Sequence, residues 1–194
     1  WQLVAEQTDA TLRVIPFDND GVLQLDEFEG LIGARTKLLA ISHVSNALGT
    51  VNPVADMITT AHAHGVPVLL DGAQSVPHFA VDVQSLDADF CCFSGHKMLG
   101  PTGIGILYAK ADILEAMPPW QGGGEMITKV SFSGSEFQVI PHRFEAGTPN
   151  IAGAIGLGAA VDYIEAIGID RMAAQEDHVL AYAHQRAREI EGLR

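Results

Sequence analysis

The chain has 194 residues, 47% hydrophobic and 18% charged, which suits one globular α/β domain with a sizeable core and excludes a disordered chain. Its formal net charge of −13 argues against nucleic-acid binding, because phosphate contacts need clustered Lys and Arg. No basic amphipathic face suits an anionic membrane, and no apolar window is long enough to span a bilayer.

The chain opens on Trp1 without a Met, and Trp1 to Glu6 read as the end of a helix already under way, as in a piece of a longer protein. No signal peptide opens this sequence, and two cysteines do not make a secreted disulfide framework, so a reducing cytoplasm is expected. Thr11 to Ile15 read as a strand, and Asp18-Asn19-Asp20-Gly21 as a turn. Leu25, Phe28, Leu31 and Ile32 form a helical stripe, with Asp26 and Glu27 in the first turn where the helix dipole favours them. Lys37 to Ser42 is the next strand, and it delivers His43-Val44-Ser45-Asn46 to its carboxyl end. Asn52 as N-cap and Pro53 at the first helical position predict a helix with Val54, Met57, Ile58 and Ala61 on its buried face. Gly65 suits the left-handed position that closes it. His62 and His64 are expected at the surface, since residues i and i+2 do not share a helix face and make a poor metal pair.

Val66 to Leu70 is an apolar run of strand length, ending in Asp71-Gly72-Ala73-Gln74. Asp82 to Asp87 read as a short helical turn. Phe90 to Phe93 is a second buried-strand run, followed by Ser94-Gly95-His96-Lys97 and the turn-rich Met98 to Gly103. Cys91 and Cys92 are the only two cysteines and point to opposite faces of that strand, so they are expected as small buried hydrophobes and not as a disulfide. Ile104 to Ala109 follows too closely for a crossover and must run antiparallel to its predecessor. Residues 118–150 look irregular, with Gly122-Gly123-Gly124 and Ser131 to Ser135 as mobile loops. A helix follows from Asn150 to Ala166, with small residues Ala152, Gly156, Ala159 and Ala160 for close packing, and after Gly168 another runs from Asp170 to Glu191. These elements make an α/β fold of three layers, αβα, around a mostly parallel sheet with one antiparallel strand.

The chemistry concentrates at two strand ends. Asp71 ends one strand and Lys97 follows the next, about one parallel crossover further along the chain. Ligands of open α/β sheets bind beyond the carboxyl ends of the strands. A lysine walled there by apolar groups would lose part of its proton affinity and attack a carbonyl as a Schiff-base nucleophile. Pyridoxal phosphate (PLP) enzymes need this pair, a Lys on the aldehyde and an Asp on the pyridinium nitrogen. Taken singly, the lysine would be a solvated charge and the Asp before Gly a turn residue.

Asp71-Gly72-Ala73-Gln74-Ser75, Ser94-Gly95-His96-Lys97 with Gly100-Pro101-Thr102-Gly103-Ile104-Gly105, and Arg143-Phe144-Glu145-Ala146-Gly147-Thr148-Pro149-Asn150 together resemble the cysteine desulfurase/selenocysteine lyase family of class V aminotransferases. With Ser45-Asn46-Ala47-Leu48-Gly49-Thr50 they are similar to its sulfur-mobilisation branch, which serves iron–sulfur cluster assembly. The resemblance implies PLP fold type I, with residues 1–166 as the central part of the PLP-binding large domain and 167–194 leading toward a small C-terminal domain. It implies Lys97 as the internal aldimine lysine and proton carrier at the substrate α-carbon, and Asp71 as the pyridinium partner. Gln74 would bind the cofactor's phenolic oxygen, Ser94 and His96 its phosphate, and Asn46 would lie beside the ring and substrate carboxylate. Thr148, with Gly147, would reach the phosphate of the neighbouring subunit in a homodimer. The implied reaction takes sulfur from L-cysteine, or selenium from L-selenocysteine, and leaves alanine, with the enzyme-bound sulfur passed on to a possible sulfur-acceptor protein.

The resemblance also implies a phosphate loop and a ring-stacking histidine before Trp1. A persulfide-forming cysteine and a substrate-binding arginine would lie beyond Arg194, so the chain alone is expected to be a poor desulfurase. Arg143 is expected in a salt bridge with Glu145 or Asp89. His43, His78 and His142 are expected to be structural, with the Pro141-His142-Arg143 loop a candidate neighbour of the site. The alternatives are another class V aminotransferase, a PLP β-lyase, or a non-catalytic dimerising domain. A metal hydrolase finds no ligand spacing.

Overall fold

The computed structural model describes residues 1–193. Four strands form the main sheet in chain order: β1 (Leu39–Ser42), β2 (Val68–Asp71), β3 (Phe90–Ser94) and β4 (Gly105–Ala109). The first three are parallel and β4 is antiparallel to β3, as its short connection requires. Ser42 pairs with Asp71, and Asp71 with Cys92, so the parallel strands end together on one edge. Among the described residues six α-helices accompany the sheet: α1 (Gln2–Thr8), α2 (Leu25–Leu31), α3 (Val54–Ala63), α4 (Ala111–Ala116), α5 (Ile151–Ile167) and α6 (Ile169–Ala187). The fold is thus mixed α/β around a mostly parallel sheet.

Side chains alternate across a strand, so Ile41, Val68, Leu70 and Cys91 fall on one face. They meet Val54, Met57, Ile58 and Ala61 of α3 and Phe28 of α2 in the main core. Each large aliphatic or aromatic side chain buried there stabilises by about 1.5–3 kcal/mol. Gly65, at φ +69°, ends α3 as expected: Gly65 N–H donates to His62 and Val66 N–H to Ala61, the paired bonds of a Schellman closure. A second cluster joins Met98, Leu157 and Ile164 with Val76, Phe93 and Ile104, and so lays α5 under the loop that follows β3.

Several expectations need correction. Helix α3 starts at Val54, and Asn52 does not cap it; its amide instead donates to the Ser42 carbonyl, tying the segment to the end of β1. Thr11 to Ile15 form no strand, because among the described residues no neighbouring backbone pairs with them; nearby, Phe17 and Leu23 form an isolated bridge. Asp82 to Asp87 form the short helical turn expected, with Leu86 N–H donating to the Asp82 carbonyl at 3.0 Å and the Asp82 carboxylate accepting from Gln84 and Ser85. Within 118–150 lies an ordered hairpin, β5 (Ile127–Ser131) and β6 (Gly134–Phe137), which Ser131 Oγ helps close by donating to the Gly134 carbonyl. Arg143 makes no salt bridge among the described residues; it donates to the carbonyls of Gln138 and Glu115.

His62 is no bystander. Its Nε2 lies 2.7 Å from Asp89 Oδ2 and its Nδ1 3.2 Å from Asp87 Oδ2. Lys110 bridges the same two carboxylates at 2.6 and 2.9 Å, and Val68 N–H donates to Asp89 at 2.7 Å. Burial alone would raise the Asp89 pKa, but the hydrogen bonds from His62, Lys110 and Val68 outweigh it and hold the carboxyl below its usual range. Burial would likewise lower Lys110, and its two carboxylate partners hold it above its usual value instead. The cluster joins α3, the starts of β2 and β3 and the end of β4, at the edge of the sheet opposite Lys97.

Candidate active site

Asp71 is the last residue of β2 and is half-buried. Its Oδ1 accepts the Ala73 N–H at 2.9 Å, an Asx turn that fixes the carboxylate's orientation and leaves the second oxygen free. The turn is anchored to β3, because Gly72 N–H donates to the Cys92 carbonyl at 2.9 Å. A Cβ on Gly72 would lie 3.1 Å from Val76 Cγ2 and 3.2 Å from Cys91 Sγ, so a larger residue here would require its neighbours to give by a few tenths of an ångström. Gln74 follows, half-buried, and then Ser75, fully buried.

Strand β3 ends in Ser94 and winds at once into a 3-10 turn over Gly95–Lys97. Met98 and Gly100 both donate to the Gly95 carbonyl, and Gly95 donates to Ile104. This tight winding turns Met98 into the core and leaves His96 and Lys97 facing solvent. The apolar walls expected around Lys97 are therefore not supplied by the described residues: a three-residue turn places neighbouring side chains on different sides, and Met98 takes the buried one.

Strand β1 runs on into His43, whose N–H donates to the Asp71 carbonyl. The His43 ring is buried edge-on against Phe79 at 5.2 Å between centroids, and burial pushes its pKa down. Asn46 is exposed on the loop beyond, which is closed by Ser45 N–H donating to Thr50. Thr148 is exposed just before α5, after Gly147 at φ +80°, whose N–H donates to Gly124. His142 is exposed in a 3-10 turn, and His78 pairs with Glu176 of α6 at 2.9 Å.

The strand register brings Asp71, Gln74, Ser94, His96 and Lys97 to one edge of the sheet, with the Asn46 loop beside Asp71. Thr148 is brought near by a contact that sequence reasoning missed: Asn150, two residues on, donates from Nδ2 to the Gly103 carbonyl in the Lys97 loop at 3.0 Å. Among the described residues, the side chains of Asn46, Gln74, Ser94, His96, Lys97 and Thr148 form no hydrogen bond or ion pair with protein. One oriented carboxylate, an amine, an imidazole, amides and hydroxyls thus share an edge with their hydrogen-bonding capacity unused. That donor set fits an anionic, ring-bearing ligand. No cluster of His, Cys, Asp and Glu suited to a metal ion occurs among the described residues. Burial pushes the Cys91 thiol up to about 11 and raises Cys92 as well, so neither is a thiolate at neutral pH.

The chain belongs to the class-V aminotransferase family, whose model matches residues 1–194. It is 58% identical over 183 residues to a cysteine desulfurase of Cronobacter sakazakii, covering 94% of this chain and 45% of that protein. The chain therefore spans about half the length of the curated relatives it matches. Among solved structures it is similar to the apo cysteine desulfurase of Thermococcus onnurineus NA1, with TM-score 0.92 and 42% identity over 97% of this chain and 47% of that one. It is also similar to the lyase C-DES with glycine covalently linked to its PLP cofactor, with TM-score 0.78 and 27% identity over 89% of this chain and 47% of that one.

Proposed function

We propose that this chain carries the cofactor-holding half of a PLP-dependent cysteine desulfurase. The observation that carries the reading is the register that sets Asp71 and the Ser94–Lys97 turn at adjacent strand ends, with an oriented carboxylate and an unpaired amine. The likeness to cysteine desulfurases along nearly the whole chain supports it. Bound PLP supplies an electron sink for a carbanion at the substrate α-carbon.

The chain's own residues have separate tasks. Lys97 would provide the amine that holds the cofactor aldehyde and would carry the proton at the substrate α-carbon. Asp71 offers its free oxygen to the ring nitrogen and keeps that nitrogen protonated. Gln74 donates to the phenolic oxygen, and Ser94 and His96 offer a hydroxyl and an imidazole N–H to the phosphate. Asn46 would lie beside the ring and the substrate carboxylate. Thr148 reaches the phosphate of a second subunit, which makes the working unit a homodimer. The amino acid consumed is L-cysteine or L-selenocysteine, and the sulfur leaves to an acceptor protein. Cys91, buried, and Cys92, half-buried, take no part in that transfer, since burial raises both thiols and a protonated thiol is a poor nucleophile.

The test is product analysis on the full-length enzyme with L-cysteine. Alanine in step with released sulfide supports the reading. Pyruvate and ammonia as the main products would overturn it in favour of a lyase.

A further inference from the structure

The loop that follows Lys97 rests on α5 through shape alone at most points. A Cβ on Gly156 would lie 2.6 Å from Pro101 Cγ, and one on Gly100 3.0 Å from Leu157 Cδ1. These are close apolar contacts that lack the direction of a hydrogen bond. One side chain supplies direction. Asn150 caps α5 by accepting the Gly153 N–H on Oδ1 at 2.9 Å, and its Nδ2 donates to the Gly103 carbonyl at 3.0 Å. Among the described residues this is the one hydrogen bond between the Lys97 loop and α5. Gly153 is buried, and a Cβ there would fall 2.3 Å from Asn150 Nδ2, so a glycine one turn into the helix makes room for the amide.

From this geometry we infer that Asn150 is a positioning residue for the cofactor phosphate: its amide ties the loop that begins at Lys97, which lines this chain's own site, to the segment that carries Thr148 to the second subunit's site, so that each site of the dimer receives both in register. The inference rests on the reading of Lys97 and Thr148 as cofactor-binding residues. Both arms of the amide are needed. The oxygen arm starts α5 immediately after the Thr148 segment, and the nitrogen arm holds the loop that begins at Lys97. A carboxylate would keep the first arm and set two oxygens against each other in the second, so Asn150→Asp separates helix capping from loop positioning.

The experiment compares the full-length parent enzyme with Asn150→Asp and Asn150→Ala, measuring PLP dissociation, thermal unfolding and hydrogen exchange at residues 98–104. Asn150→Asp is expected to unfold near the parent temperature, because the cap acceptor remains. Its exchange at 98–104 is expected to be faster and its PLP affinity roughly tenfold weaker, the scale of one lost hydrogen bond. Asn150→Ala is expected to lose the same affinity and also stability. If Asn150→Asp keeps parental PLP affinity, the inference is overturned, whether or not exchange rises. A parent enzyme that binds no PLP at Lys97 would overturn the proposed function itself, a different result from a loss confined to the variant.

Discussion

Replacing Asp89 by Ala tests how the sheet is held at the edge away from the site. Asp89 is 6% exposed and accepts from His62 at 2.7 Å, Lys110 at 2.9 Å and the Val68 N–H at 2.7 Å. A hydrogen bond to a charged group contributes about 1.5–3 kcal/mol, but these three share one carboxylate, and removing it also relieves its own desolvation. Val68 is 0% exposed, so its N–H would be left without a partner or water. Breaking a buried pair by removing one member costs about 3–5 kcal/mol, and that is the expected loss. With a urea slope of about 2 kcal/mol/M, the unfolding midpoint should fall by roughly 1.5–2.5 M. Asn at this position should lose less, since it can still accept from Val68. The pH dependence has a definite sign. The Asp89 pKa is lowered from its ordinary 3.8, so its contribution is present above that value and is lost as pH falls through the lower folded value. Lys110 is raised from 10.5, so its contribution is present below that value and is lost as pH rises through the higher folded one. The Ala variant should therefore differ most from the parent between about pH 5 and 10 and converge with it in acid. A loss under 1 kcal/mol at pH 7 would refute the view that this cluster fastens the strand starts.

Cys91 is 1% exposed with its thiol pushed up to about 11, so an alkylating reagent at pH 8 should label it only after denaturation; peptide mass mapping reads the result, and rapid labelling of the native protein would count against the burial. Lys97→Ala should shift stability by no more than about 0.5 kcal/mol in urea unfolding, because the side chain is exposed and makes no contact that packing depends on. A large loss would mean that this lysine has a structural role instead.

The parts of the fold that were legible in the sequence are those where one face is buried. Val66 to Leu70 and Phe90 to Phe93 declare themselves as strands because the core selects apolar residues there. Gly65 declares a helix end because only a residue free of Cβ strain takes its φ readily. The antiparallel run of β4 followed from chain length alone. The hairpin of β5 and β6 was illegible because nearly all its residues are exposed on both faces, so no alternation marks it. Thr11 to Ile15 show the converse, a run with strand composition but no pairing partner. His62 was misjudged by spacing along its own helix, whereas its partner Asp89 comes from the start of another strand. At the candidate site, residue types were readable at Asp71 and Lys97, but exposure was not, since it depends on which way a three-residue turn throws each side chain. Asn150 was read as the start of a helix; its second bond crosses to Gly103, and nothing local signals it.

The central claim is that Lys97 is the residue that carries PLP. The direct measurement is an absorbance spectrum of the full-length enzyme with PLP, before and after borohydride, followed by peptide mass mapping. The account predicts a near-visible band that reduction abolishes, leaving a stable pyridoxyl group on Lys97 and on no other lysine, and no such adduct in Lys97→Ala. A pyridoxyl group fixed on Lys110 or Lys129, or an unchanged spectrum and adduct yield in Lys97→Ala, would contradict it.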